Sequence, residues 1–373
     1  MNRARPLYIL NVAETIKGGI ATYLDTLEYF SKEFNCDFEY LIPAAQADQI
    51  VSKQIQPHSH SRKGLGPLRL AAAIVRLAKQ RKPDVVYAHS TFAGVALCLA
   101  KPWLARNTKT VYCAHGWASF RDRSKLVITL SRIVERCMSY IPDAVVNISR
   151  HEHEINRKCG FSKKNILIQS TVLDRESRLQ ARLQFDEQLH ILFAARLDWE
   201  KGYDILVDAI HVLQKSRPNF VYHIVGDAVL GNLKIEKIVA GNVHYYGWID
   251  HAEIDNFYER ADVFIVPSRN EGFGLTVLEA FRSAVPVIAS DRGALPEIVE
   301  HAVNGLVFNC TAADLAQKLH DLDLATLRRY GDAARHSYQE KFAPAKFVAS
   351  YQNLFGELRA TIEIPLFSMQ EHT

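Results

Sequence analysis

Short runs rich in Val, Ile and Tyr alternate with helix-length amphipathic segments along most of this chain, and the alternation stops once and then restarts. That rhythm belongs to parallel βα units, since a parallel sheet needs a crossover helix between strands and is covered on both faces. In the first half PLYILNV, DFEYLIP, DVVYAHS, TKTVYCAH, DAVVNIS and NILIQST read as strands. Candidate helices run from Leu68 to Lys82 and from Lys125 to Tyr140. A polar, highly charged stretch, VLDRESRLQARLQFDEQ, follows Thr171 and is read as a linker. The alternation then resumes through HILFAAR, FVYHIVG, VHYYG, ADVFIVPS, VPVIAS and GLVFN. The pattern predicts an α/β protein of two doubly wound domains, residues 1–172 and 173–342. Strands end near Ala312, and helical segments follow to about Ala360, with Pro344 placed to begin a new helix that packs back on the N-terminal domain. At 373 residues the chain is long enough for two such cores.

Charge is distributed unevenly. Residues 1–172 carry 25 Lys/Arg against 13 Asp/Glu, whereas residues 173–373 carry 20 against 28. The basic half is expected to meet something anionic: a phosphorylated acceptor, an acidic membrane surface or nucleic acid. No nucleic-acid motif accompanies the basic segments, so a nucleic-acid partner is not expected. PLRLAAAIVRLAKQRK and FRDRSKLVITLSRIVERC are basic and amphipathic, which suits a peripheral position on an anionic membrane. No apolar run approaches the roughly 20 residues of a membrane-spanning helix, and the N-terminal apolar run is too short for a signal-peptide core. The expected location is cytoplasmic, on the inner face of the plasma membrane. Six scattered cysteines without a C-x-x-C pair suit neither a zinc site nor a disulfide framework.

Ligands of open parallel sheets bind beyond the C-terminal strand ends, where helix N-termini favour anions. Gly18 and Gly19 open a helix after the first strand, and a backbone without Cβ atoms can approach a phosphate or sugar closely. His115, at the end of TKTVYCA, can hydrogen-bond a substrate hydroxyl, and its ordinary pKa permits either protonation state near neutrality. Arg196 and Lys201 flank the turn after HILFAA and can offset a diphosphate's charge without a metal ion. In RNEGFGLTVLEAF, the amides of Phe273, Gly274, Leu275 and Thr276 can face an anion or sugar hydroxyls. Glu271 precedes that helix. Glu279 lies within its apolar run and therefore requires a partner such as a ribose diol. HEHE, from His151 to Glu154, is not H-E-x-x-H and reads as a solvated helix rather than a metal cluster. The DLD at Asp321 to Asp323 reads likewise.

These motifs, in order, carry a resemblance to family 4 of the glycosyltransferases: GGIATYL, His115, ARLDWEKGYDIL, the VGD of Val225 to Asp227, HYYGWID, and SRNEGFGLTVLEAFRSAVPVIASDRGALPEIV. The resemblance implies a GT-B fold, in which two Rossmann-like domains face a central cleft. It implies a retaining, metal-independent hexosyltransferase with no cofactor, whose UDP- or GDP-sugar is a co-substrate. Arg196 and Lys201 then hold the donor diphosphate, and Glu279 the ribose. Glu271 and the following amides hold the sugar, Gly18 or Gly19 meets the phosphate or sugar, and His115 lies close to the reacting sugar. Asp227 belongs to the donor site, and the base lodges near Tyr246, Gly247 and Ile249. The implied acceptor is a lipid-linked saccharide of exopolysaccharide, capsule or O-antigen synthesis. IQSTVLD departs from the P-N-G-V-D-like turn of relatives. Competing readings are a GT-B-fold nucleotide-sugar epimerase or hydrolase, and a catalytically silent nucleotide-sugar-binding subunit of a polysaccharide complex.

Overall fold

A computed structural model describes residues 5–16, 18–52, 54–59, 64–120, 124–174, 188–228, 237–250 and 253–363. The greater part of the linker expected from the sequence, residues 175–187, lies outside the described residues. The chain divides into two compact units, one made of Met1–Thr171 with Pro344–Thr373 and the other of Val172–Ala343.

The first unit is built on strands β1 (Leu7–Ala13), β2 (Cys36–Pro43), β3 (Ile55–His58), β4 (Val85–His89), β5 (Lys109–Cys113), β6 (Ala144–Asn147) and β7 (Asn165–Leu167). They form one sheet in the order β3-β2-β1-β4-β5-β6-β7, parallel throughout. The second unit holds β8 (Leu189–Ala194), β9 (Phe220–Val225), β10 (Val243–Gly247), β11 (Val263–Val266), β12 (Val287–Ser290) and β13 (Gly305–Phe308). Its parallel sheet has the order β10-β9-β8-β11-β12-β13. Central strands are mostly apolar because both faces are covered; every residue of β4 and β11 is buried, His89 at the end of β4 included. All the strands read from the sequence are present. β3 was not foreseen: IQPH is short and carries Pro57, which has no N–H for a ladder and is tolerated here on the sheet edge.

The helix Pro344–Glu363 returns to the first unit, as its aromatic residues dictate. Phe355 packs against Phe34 and Phe38 with ring centroids 5.6 and 6.3 Å apart. The fully buried Tyr351 hydroxyl meets those of Tyr87, at 2.8 Å, and Tyr23. Burial is the main reason all three phenols are held far above their usual pKa, so each remains a neutral hydrogen-bonding group. Arg359 and Gln352 donate to the carbonyls of Asn35 and Glu33, each at 3.0 Å. Tyr351→Ala should cost about 3–5 kcal/mol, whereas Tyr351→Phe, which removes only a shared hydroxyl, should cost about 1–2 kcal/mol. Urea denaturation with unchanged slopes checks both values.

Candidate active site

In each sheet the direction of strand addition reverses next to the first strand, between β1 and β4 and again between β8 and β11. Such reversal points leave a crevice above the strand ends because successive helices depart to opposite faces. Of the residues singled out in the sequence, Gly18, Lys201 and Glu271 follow strands that border these points, whereas His115 follows β5 and Tyr246 lies on the edge strand β10.

In the second unit, Lys201 lies on the turn after β8 and Glu271 on the turn after β11. Lys201 Nζ donates to Glu271 Oε2 at 2.7 Å across the reversal point, both side chains being mostly buried. Gly202 makes this approach possible. Its φ is 69°, and a Cβ there would lie 1.9 Å from the carbonyl oxygen of Pro267. On the other side, Gly293 lets the turn after β12 pass beneath Glu271, where a Cβ would stand 2.2 Å from the Glu271 carbonyl oxygen. The Ala294 amide donates to that oxygen at 2.9 Å.

Arg269, not singled out in the sequence, ties the same two turns together. It makes a two-pronged pair with Asp204, at 2.7 and 2.6 Å, and donates to the Trp199 carbonyl, at 2.6 Å. Its guanidinium also lies over the Trp199 ring, 4.4 Å from the centroid. Only its position beside the E-G-F-G turn could have drawn attention to it.

Arg196 is near these turns but is engaged locally with Asp198, at 3.1 Å, and Glu200, at 3.3 Å. Asp227 closes β9: its carbonyl accepts from Leu197 N–H at 3.2 Å, and its carboxylate accepts from the Ala228 amide at 2.8 Å. The helix Leu275–Arg282 starts from Gly274 with no side chain capping it, so its first amides, those of Leu275 and Thr276, face the turn that carries Glu271. The Phe273 side chain is buried against Phe342. Glu279 is buried, as its apolar surroundings required, and the structure supplies a partner from within the protein: Tyr258 donates to Oε2 at 3.1 Å. Tyr246 directs its hydroxyl to His223 Nδ1, at 2.9 Å, and stands edge-on to Phe257. Next to it Gly247 accepts from the Gly226 amide at 2.7 Å, and Ile249 is half-buried two residues on.

In the first unit, Gly18 begins the helix Gly19–Tyr29, again without a side-chain cap. Both glycines are exposed. His115 has a left-handed backbone, φ 52°, and the loop is pinned by the next residues. Trp117 is buried in the core and donates to Asn147 Oδ1 at 3.2 Å, while the buried Glu135 accepts from the amides of Ala118 and Ser119, at 2.7 and 3.2 Å.

Behind His115 stands His89, the last residue of β4, unnoticed in the sequence. His89 Nδ1 is 3.0 Å from His115 Nε2, and His89 Nε2 is 3.0 Å from Asn11 Oδ1. Burial holds His89 well below its usual pKa and pushes His115 down to about 3, although part of the His115 surface stays open. The expectation that His115 can take either protonation state near neutrality is thereby corrected: it is the neutral imidazole. With the Asn11 carbonyl accepting, His89 Nε2–H donates to it. His89 Nδ1 accepts from His115 Nε2–H, and His115 Nδ1 is left as an acceptor.

The HEHE segment differs from its sequence reading in one residue. Glu152 is buried: its carboxylate accepts from Ile148 N–H at 3.3 Å, while the hydroxyl of the N-cap Ser149 accepts from Glu152 N–H at 3.1 Å. Asp323, of the DLD segment, caps the helix Leu324–Ser337. Among the described residues no cluster of three His, Cys, Asp or Glu side chains is arranged to hold a metal ion.

Two doubly wound parallel sheets, each with polar groups gathered at its reversal point, define the GT-B class of glycosyltransferase. Residues 174–336 match the model of "Glycosyl transferases group 1" and residues 18–176 that of "Glycosyltransferase Family 4". The chain belongs to glycosyltransferase family 4. It is 30% identical, over 93% of its length and 99% of the relative's, to an uncharacterized 41.2 kDa protein in the cps region of Klebsiella pneumoniae. It is 27% identical to the O-antigen biosynthesis glycosyltransferase WbnH of Escherichia coli, over 73% of this chain and 75% of that one. Among solved structures, sucrose-phosphate synthase of Thermosynechococcus elongatus superposes with a TM-score of 0.78 at 18% identity, covering 95% of this chain and 99% of that one. HepE of Anabaena, in complex with UDP and glucose, superposes with a TM-score of 0.72 at 20% identity, covering 94% and 99%.

Two outcomes follow from this geometry. The folded-state pKa of His115 lies below its unfolded value of about 6.5, so its contribution to stability is complete above that value and is lost as pH falls toward about 3. His115→Gln should therefore flatten the dependence of stability on pH in that window by up to about one proton, read from urea midpoints at several pH values. Gly202→Ala, which drives a Cβ into the Pro267 carbonyl at a left-handed position, should cost about 2 kcal/mol or more, measured in the same way.

Proposed function

We propose that this glycosyltransferase moves a hexose, with retention of anomeric configuration, from a nucleotide-sugar donor to a lipid-linked saccharide in the assembly of capsule or O-antigen. The observation that carries the donor assignment is the Lys201–Glu271 pair across the β8/β11 reversal point. It stands beside Arg196 and an uncapped helix start. A diphosphate entering there takes Lys201 as its counter-ion and frees Glu271 to accept from sugar hydroxyls, while the first amides of the Leu275–Arg282 helix face its charge. In this reading Glu279 exchanges its Tyr258 hydrogen bond for a ribose diol. The HepE complex with UDP and glucose supports a UDP-sugar as donor, and the WbnH likeness supports a cell-surface polysaccharide as product.

The bond from the anomeric carbon to the phosphate oxygen breaks, and a bond to the acceptor oxygen forms on the same face. The acceptor's proton passes to the departing phosphate oxygen. Lys201 and Arg196 stabilise that oxygen electrostatically, so no metal ion is required. His115, a neutral acceptor at Nδ1, orients a hydroxyl instead of donating a proton.

A thermal-shift series with UDP-, GDP-, ADP- and dTDP-sugars tests the assignment, because a ligand of the folded state raises Tm. One donor should raise Tm, and Lys201→Ala and Glu279→Gln should each weaken it by about tenfold or more. Unchanged affinity in both variants would remove the site from consideration. Retained donor binding with neither transfer nor hydrolysis would identify a silent binding subunit instead. The anomeric configuration of the product, read by NMR, decides retention.

A further inference from the structure

The helix Lys125–Ser139 is turned inside out. An amphipathic helix on a globular domain normally buries its apolar stripe. Here Leu126, Leu130, Ile133 and Val134, spaced to share one face, are 70, 54, 55 and 53% exposed. The face turned to the protein is largely polar: Glu135 and Ser139 are buried together with Met138. Glu135 accepts from the amides of Ala118 and Ser119, so the helix is fixed to its domain by that side.

The surroundings specify what covers the stripe. Lys125 and Arg136 are exposed on the same helix. At its C-terminal end, Lys101 Nζ donates to the Ile141 carbonyl at 2.8 Å, which ties the turn Lys101–Trp103 to the residue after Tyr140. Trp103 is 69% exposed and Tyr140 55%. Exposed apolar side chains on a helix that also carries exposed cations, with an exposed Tyr at its C-terminal end, match the boundary between acyl chains and anionic headgroups. A second copy of this chain on the same face would set Lys125 and Arg136 against their own duplicates. The wider excess of 25 Lys/Arg over 13 Asp/Glu in residues 1–172 attracts the same anionic partner.

We infer that the outward face of the Lys125–Ser139 helix, with Trp103 and Tyr140, inserts shallowly into an anionic lipid surface and holds the first unit on the membrane. The inference rests on this helix alone and goes beyond the transfer reaction.

Flotation of the full-length protein with phosphatidylcholine vesicles, with and without phosphatidylglycerol, tests it. The protein should float with the phosphatidylglycerol vesicles and progressively less as salt is raised. Leu130→Asp combined with Ile133→Asp should reduce partitioning by about tenfold or more, as should Lys125→Glu combined with Arg136→Glu. All four side chains are exposed or flank the stripe, so melting temperature and the donor-induced thermal shift should stay at their wild-type values. That readout separates failure of the membrane surface from failure of the donor site. Wild-type protein that ignores anionic vesicles would overturn the inference, as would a folded Leu130→Asp/Ile133→Asp variant that floats like wild type. A wild-type dimer converted to monomer by that variant in sedimentation velocity, without vesicle binding, would assign the face to a second copy.

Discussion

Reversal of strand order between β8 and β11 is the constraint from which the placing of Lys201 and Glu271 follows. Helices leaving the two strands go to opposite faces, so the turns that precede them separate and expose strand-end groups to solvent. Left to themselves, turns bearing Lys201 and Glu271 would diverge. They are drawn together by the close approach of Gly202 to the Pro267 carbonyl and by Arg269, which reaches back to Asp204 and Trp199. The ion pair is thus a product of backbone packing more than its cause. Two partly desolvated charges meet at 2.7 Å because the turns beneath them have little freedom to place them elsewhere.

The first unit reaches a comparable precision by burial. His115 is carried on a loop whose next residue but one, Trp117, is locked in the core, and whose amides are bound by Glu135. His89 and Asn11 determine which ring nitrogen bears the proton. Desolvation does the rest by keeping both rings neutral. The helix that supplies Glu135 inward is the one that presents an apolar stripe outward, so a single element steadies the His115 loop and forms the proposed lipid surface. Its exposed Leu and Ile residues have no account as core, which makes the polar anchor on the opposite side informative.

Much of this was legible from residue order. Alternating apolar runs gave every strand except β3, which Pro57 and its short length concealed. The segment RNEGFGLTVLEAF drew attention to Glu271 and Glu279, and the demand that a carboxylate in an apolar helix find a partner was met by Tyr258. The sequence was silent where function depends on meetings at a distance. Tyr258 stands 21 residues from Glu279, Arg269 65 from Asp204, and His89 26 from His115. None of these separations has a local period.

By itself, then, the sequence determined the class of fold and singled out Lys201, Glu271 and Glu279, because hydrophobic periodicity, glycine placement and helix starts act within a few residues. Tertiary structure decided protonation, pairing and exposure. His115 is neutral because other strands bury it, Arg196 is engaged by its own loop, and the Leu126–Val134 stripe faces outward because Glu135 holds the opposite side. Each of those outcomes depends on desolvation and on contacts between distant segments, which a linear order of residues does not contain.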